Sequence, residues 1–302
     1  MNSIKEKIIS IFHLSKPGRN EEGKEKTNQD NFLIREKIAN LDLFNIYAVL
    51  DGHGAYGHFI SKKVVDLFHS EIQKNKDLNT VVDESEAYEM LTKNNFEIIK
   101  KMFEKVDNEL SKSDLDISLS GTTCNMIIQV GKKIICANLG DSRSIMVCSK
   151  KNTIIELSRD HKPDIPEEAK RIKEKGGEIR QFQDEEGEFL GPLRVWKRGE
   201  QCPGIGMTRS FGDSIGTSIG VFSEPEIKEC DINKTKFIVL ASDGVWEFLD
   251  NEKTTKIILP FYEKLDAEGA CNELYKQAFD CWKKEDDVVD DITIIMLFFS
   301  KK

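Results

Sequence analysis

Short apolar runs, each cut off by a glycine or a carboxylate, set the rhythm of this chain. The run Asn45-Ile46-Tyr47-Ala48-Val49-Leu50 stops at Asp51-Gly52-His53-Gly54. Runs of this length bounded by turn residues read as strands. The same pattern predicts strands over 31–36, 122–130, 134–138, 144–148, 153–157, 237–242 and 292–299. Gly131-Lys132-Lys133 joins two of these as a hairpin, and 144–148 with 153–157 forms another pair. Apolar residues at helical spacing predict helices over 57–74, 86–111, 252–264 and 267–284, and a short one near 166–175. Ile4, Ile8, Ile11 and Phe12 share that spacing, so a short amphipathic helix over 4–14, within an N-terminal segment 1–15, is expected to pack on the domain. Residues 16–30 read as a polar loop, and 160–205 as a long polar excursion of the kind that is usually functional.

Strands come in hairpin-like runs and helices in blocks. That predicts an α+β fold with antiparallel sheets rather than repeated βαβ units. No repeat or linker-like tract divides the 302 residues, so one domain over 1–302 is expected. The formal net charge of -9 argues against nucleic acid or an anionic membrane as the main partner. No apolar stretch approaches the roughly 20 residues that span a bilayer. The start, Met1-Asn2-Ser3, resembles neither a secretory signal nor a myristoylation site. Seven widely spaced cysteines without a C-x-x-C pair favour free thiols, hence a cytoplasmic protein with the nucleus as the alternative.

The chemistry lies where apolar strands meet aspartates. Leu50 runs into Asp51-Gly52, Ser242 into Asp243-Gly244, and Asn138-Leu139 into Gly140-Asp141, while Asp290-Asp291 leads into Ile292. A single Asp-Gly is most often a turn. Four, each against an apolar strand, point instead to oxygen ligands gathered at one sheet edge, which suits Mg²⁺ or Mn²⁺. His53 adds an imidazole that titrates near neutrality two residues from Asp51.

Seven short motifs occur in order: Asn28-Gln29-Asp30, Asp51-Gly52-His53-Gly54, Ser120-Gly121-Thr122-Thr123, Gly140-Asp141-Ser142-Arg143, Thr208-Arg209-Ser210-Phe211-Gly212-Asp213, Ser242-Asp243-Gly244 and Asp290-Asp291-Ile292-Thr293. Together they resemble the metal-dependent type 2C protein serine/threonine phosphatases over roughly residues 16–299. The resemblance implies a β-sandwich of two antiparallel sheets flanked by α-helices on both sides, with a di-metal centre of Mg²⁺ or Mn²⁺ at one end. It implies that Asp51 bridges both ions, that the Gly52 carbonyl completes the second, and that Asp243 and Asp290 hold the first. Asp141 with Asp243 would hold a weaker third. Asp30 would orient metal-bound water, and His53 would be the general acid that protonates the leaving oxygen. Phosphoserine and phosphothreonine would be hydrolysed by attack of a metal-bridging water, with phosphorylated proteins as substrates and a monomer as the working state.

Two departures stand out. Gln29 replaces a glutamate that many members use to hold metal-bound waters, and it removes a negative charge. Where animal members carry a phosphate-gripping arginine, this chain has Glu25 flanked by Lys24 and Lys26. Lys26 is the candidate for phosphate binding, as a point charge rather than a bidentate fork, with Arg19 as a more distant option. The 160–205 excursion corresponds to the family's flap.

Other readings fare worse. Gly52-His-Gly54-Ala-Tyr-Gly57 matches G-x-G-x-x-G, but Asp51 would repel a pyrophosphate, and a helix rather than a strand follows 57–74. Cys136 and Arg143 miss the C-x₅-R spacing of a cysteine phosphatase, and the five histidines show no two-metal pattern. The remaining alternative is a catalytically weak type 2C fold acting as a regulatory binding module.

Overall fold

The computed structural model describes residues 7–184 and 186–300. One five-stranded sheet runs in the order Ile8–Lys16, Ile292–Phe299, Thr235–Ala241, Arg143–Cys148, Ile154–Glu156. The other runs Glu226–Asp231, Lys133–Leu139, Cys124–Val130, Phe44–Leu50, Asn31–Arg35. All the ladders in both are antiparallel. A strand sends alternate side chains to opposite faces. Tyr47, Val49 and Ile127 of the second sheet therefore meet Ile238, Leu240 and Ile295 of the first between the sheets. The alternate set, Ile46, Ala48, Leu50 and Met126, packs under the helices Gly57–Lys74 and Glu84–Ser111 through Ile60, Val64, Phe68 and Phe103. On the opposite side Val239, Ile294, Met296 and Phe298 pack under Asn251–Tyr262 and Ala267–Glu285 through Ile258, Ala270 and Leu274. The layers are α-β-β-α. Both faces of each sheet are covered, which explains why Phe44–Leu50 and Ile292–Phe299 are buried at every position and read as unbroken apolar runs.

Within the N-terminal segment 1–15, the helix expected over 4–14 is not formed among the described residues. Ile8–Lys16 is a strand, with a register irregularity between Ile8 and Ser10, paired to Ile292–Phe299. Its isoleucines and phenylalanine suit a pleated surface, and pairing at an open sheet edge overrides the helical spacing. Residues 1–6 of that expectation lie outside the described residues. The helix Glu84–Ser111, capped by the Asp83 carboxylate on the amides of Ser85 and Glu86, is broken at Lys93–Phe96. There Asn94 and Asn95 supply the left-handed backbone that asparagine tolerates. The polar excursion is more ordered than its composition suggests: it holds the helix Pro166–Glu174 and a sheet of Gly177–Gln183, Phe189–Lys197 and Pro203–Ile205. A groove of about 800 Å³ on that sheet is lined by Phe182, Leu190, Pro192, Arg194 and Trp196. Among the described residues no helix is long and apolar enough to cross a membrane, and the seven cysteines are free.

Candidate active site

The expected carboxylates sit where strands stop or start. Asp51 follows Phe44–Leu50, Asp141 follows Lys133–Leu139, and Asp243 follows Thr235–Ala241 as the first residue of a short helix, Asp243–Trp246. Asp30 precedes Asn31–Arg35 and Asp290 precedes Ile292–Phe299. Antiparallel register puts these ends side by side: Asn31 lies opposite Leu50, Cys124 opposite Leu139, and Ala241 opposite Ile294.

Neighbouring motifs lock the ends in place. The Asp51 N–H donates to Thr123 Oγ1 at 3.0 Å, and the Asp51 carbonyl accepts from the Thr123 N–H at 2.9 Å and Thr122 Oγ1 at 3.0 Å. Ser242 Oγ donates to Asp30 Oδ2 at 2.8 Å and accepts from the Thr293 N–H at 3.0 Å. The buried Asp291 carboxylate accepts from the Gly18 N–H at 2.7 Å and the Gln29 N–H at 2.9 Å, holding the 16–30 loop against the site. A side chain at Gly52 would come within 2.5 Å of the Gln29 and Gly57 carbonyl oxygens, so only glycine fits there.

These carboxylates perturb one another. Burial pushes Asp51 well above the usual carboxylate range, and the charges of Asp243, Asp30, Asp290 and Asp141 push it further. Burial likewise raises Asp243, reinforced by Asp290 and Asp141. Burial, with Asp291 alongside, brings Asp30 up to about 7. Two lysines answer part of the charge. Lys26 Nζ lies 2.5 Å from Asp290 Oδ1 and 3.4 Å from Asp291 Oδ2, and Lys162 Nζ lies 2.5 Å from Asp141 Oδ2. Burial alone would lower both ammonium groups, but Asp290 and Asp141 respectively outweigh it and raise them.

Among the described residues Asp30 Oδ1, Asp141 Oδ1 and Asp243 Oδ1 are buried without a hydrogen-bond partner, and no group of three or more His, Cys, Asp or Glu side chains is already spaced to hold a metal ion. The donor set is nonetheless all oxygen and carries more negative charge than its two lysines balance. That is the chemistry of a hard divalent cation, and the residues present fit one. His53 borders the cluster with Nε2 2.7 Å from Asp213 Oδ2. Burial would lower the imidazole pKa, but the charge and hydrogen bond of Asp213, helped by Asp141 and Asp243, raise it.

A sequence profile of the protein phosphatase 2C family matches residues 17–285. The chain belongs to that family. It is a phosphoprotein phosphatase, a hydrolase. Among its relatives, "Probable protein phosphatase 2C 35" of Arabidopsis thaliana is 30% identical over 309 residues, covering 95% of this chain and 83% of the relative. "Probable protein phosphatase 2C 72" of the same plant is 32% identical over 292 residues, covering 93% and 84%. In fold the chain is similar to a crystal structure of a serine-threonine phosphatase 2C from Toxoplasma gondii, with a TM-score of 0.80 at 21% identity over 98% of both chains.

Against the expectations for a type 2C phosphatase, the structure gathers Asp30, Asp51, Gly52, His53, Asp141, Asp243 and Asp290 at one end of the sandwich. Of the two basic residues weighed for phosphate, Lys26 reaches the carboxylates, whereas the Arg19 guanidinium lies over the Phe279 ring, 5.2 Å from its centroid. The first residues of the 160–205 excursion are tied to the site. Asp160 takes both arms of Arg143 at 2.9 and 2.7 Å, and His161 Nδ1 accepts from the Gly140 N–H at 3.0 Å. Lys162 reaches Asp141, so residues 160–162 belong to the site floor. In the sequence this segment is hidden inside a polar stretch, and the cluster Asp160-His161-Lys162-Pro163 is the signal that marks it.

Gln29 also makes a hydrogen bond within the protein. Its Nε2 donates to the Gly54 carbonyl at 2.7 Å, across the turn that carries His53, and a glutamate cannot make that bond. Gln29→Glu is therefore expected to lower the stability of the chelator-treated protein by about 1 kcal/mol, read by urea unfolding. The added charge is expected to tighten Mn²⁺ binding in a calorimetric titration.

Proposed function

We propose that this phosphatase is Mg²⁺- or Mn²⁺-dependent and acts on phosphoserine and phosphothreonine in proteins. The carrying observation is the convergence of Asp30, Asp51, Asp141, Asp243 and Asp290 with buried, unpartnered oxygens and a net excess of negative charge. In this reading Asp51, the Gly52 carbonyl, Asp243 and Asp290 hold two ions, and Asp141 with Asp243 a weaker third. Bound divalent cations supply activation of water and neutralise charge on the phosphoryl oxygens. Asp30, fixed by the Ser242 hydroxyl, is placed to orient the attacking water through its free oxygen. Lys26 is a phosphate contact that exchanges Asp290 for the substrate. His53 gives a proton to the departing serine or threonine oxygen, since an alkoxide is a poor leaving group. The intact carboxylate set weighs against the regulatory-module alternative. A monomer in the cytoplasm or nucleus completes the proposal.

Turnover of a phosphothreonine peptide measured across Mn²⁺ and Mg²⁺ concentrations tests it. Activity that rises with either ion and is lost in chelator is expected. Silence at saturating Mn²⁺ and Mg²⁺ sinks the proposal.

A further inference from the structure

Asp213 stands at the N-terminal cap position of a short helix, Ser214–Thr217, where an aspartate ordinarily caps with its side chain. Here the carboxylate makes no cap bond. Instead its Oδ2 takes His53 Nε2 at 2.7 Å and Ser210 Oγ at 2.5 Å. The residue is completely buried and sits at φ 44, a left-handed backbone that few side chains adopt. That conformation is pinned from both sides. The Asp213 N–H donates to the Ser120 carbonyl at 3.0 Å, and its own carbonyl accepts from the Thr217 N–H at 2.8 Å. A residue held in a costly conformation and turned away from its local bond calls for a reason elsewhere.

The reason lies in a small sheet of Phe211–Gly212, Gly121–Thr122 and Gly52–His53. Its register sets His53 opposite Gly121 and Gly121 opposite Gly212. The imidazole and the carboxylate thus reach each other across the central strand. Any side chain at Gly121 would collide with Asp213 Oδ2, so glycine leaves the passage open. Phe211 anchors the outer strand in the core, with its ring 5.8 Å from that of Phe68 and 5.5 Å from that of Phe103. With Nε2 engaged, Nδ1 is the ring nitrogen without a partner among the described residues, and it is buried.

We propose that Asp213 is a positioning residue for His53. Its carboxylate, itself steadied by Ser210, fixes the imidazole through Nε2 and leaves Nδ1–H as the proton for the departing oxygen. The proton moves from Nδ1 to that oxygen as its bond to phosphorus breaks, and water restores it afterwards. The proposal rests on the reading of His53 as the general acid.

The test compares wild type, Asp213→Asn, His53→Gln and the double variant, each saturated with Mn²⁺. The two substrates are p-nitrophenyl phosphate, whose leaving group departs without a proton, and phenyl phosphate, whose leaving group needs one more. Asparagine tolerates the left-handed backbone, so the substitution changes the carboxylate and little else. Asp213→Asn is expected to lower kcat on phenyl phosphate about 10- to 100-fold and on p-nitrophenyl phosphate less than about threefold, with KM unchanged on both. The double variant is expected to be no slower than His53→Gln alone. An equal loss on both substrates, or losses that multiply in the double variant, overturns the role of Asp213. If His53→Gln is itself indifferent to the leaving group, the acid reading falls and the positioning role with it. A wild type silent on both overturns the phosphatase chemistry as a whole. Should Asp213→Asn not fold, Ser210→Ala decides: it strips one hydrogen bond from the same carboxylate, and the same substrate selectivity at smaller amplitude is expected, whereas an even loss overturns the proposal.

Discussion

Asp243→Asn is expected to remove metal-dependent turnover while making the metal-free protein more stable. Asp243 serves both the first proposed ion site and the weaker third, at the first residue of a short helix beside Asp290 and Asp141. Electrostatic support from a divalent cation is worth several kcal/mol at the transition state, so a fall of about a thousandfold in kcat/KM is expected on a phosphothreonine peptide. Without a cation the same carboxylate is a liability, because burial and its neighbours hold it above its ordinary range. Replacing it with a neutral isostere is expected to raise stability in chelator, because it removes a buried charge that its neighbours repel. A variant that is inactive and also less stable in chelator would mean that Asp243 holds the fold rather than an ion.

The sign extends to pH. Asp30, Asp51 and Asp243 are all raised, so each costs stability when ionised in the folded protein. The metal-free phosphatase should therefore gain stability as pH falls from above 7, where Asp30 is ionised, toward the ordinary carboxylate range. Saturating Mn²⁺ should abolish that gain, because a bound cation favours the ionised forms. Thermal unfolding between pH 8 and pH 5, with and without the metal, reads both.

Much of this site was legible because it is built from local signals. An apolar run followed by Asp-Gly marks a strand end bearing a carboxylate, and Asp51, Asp141 and Asp243 announce themselves that way. The helices 57–74 and 267–284 and the strand 292–299 follow from periodicity and unbroken apolarity. What escaped depends on partners distant in sequence. Ile8–Lys16 carries a helical spacing, yet its fate is set by a free edge on a strand more than 270 residues away. Lys162 looks like a loop lysine until the fold brings it to Asp141. Asp213 occupies a recognisable motif, but its bond to His53 spans 160 residues and no periodicity predicts it. Gln29 reads as a lost charge and proves to be a donor to Gly54.

The largest loss of stability from a single polar substitution is expected at Glu168. This residue of the helix Pro166–Glu174 is completely buried. Its carboxylate receives Arg209 Nη2 at 2.5 Å, Arg171 Nη2 at 2.7 Å and Thr208 Oγ1 at 2.6 Å. The two guanidinium groups lie 3.9 and 4.8 Å from the centroid of the Phe222 ring, closing the cluster. Burial pushes the Glu168 carboxyl up, but the bonds from Arg209, Arg171 and Thr208 win and hold it well below the carboxylate range. Its stabilising effect is therefore present above the ordinary glutamate value and is lost as pH falls through the lower folded one. Glu168→Gln keeps the shape but leaves two guanidinium groups without their counter-charge, so a loss of about 3–5 kcal/mol in urea unfolding is expected. Because Thr208 and Arg209 begin the segment that ends in Asp213, turnover should fall as well. The decisive measurement is a double-mutant cycle. If the cost comes from stranded charge, removing Arg209 as well should recover part of it, with a coupling of about 1–3 kcal/mol. Simple addition of the two losses would show that Glu168 stabilises the flap by packing alone.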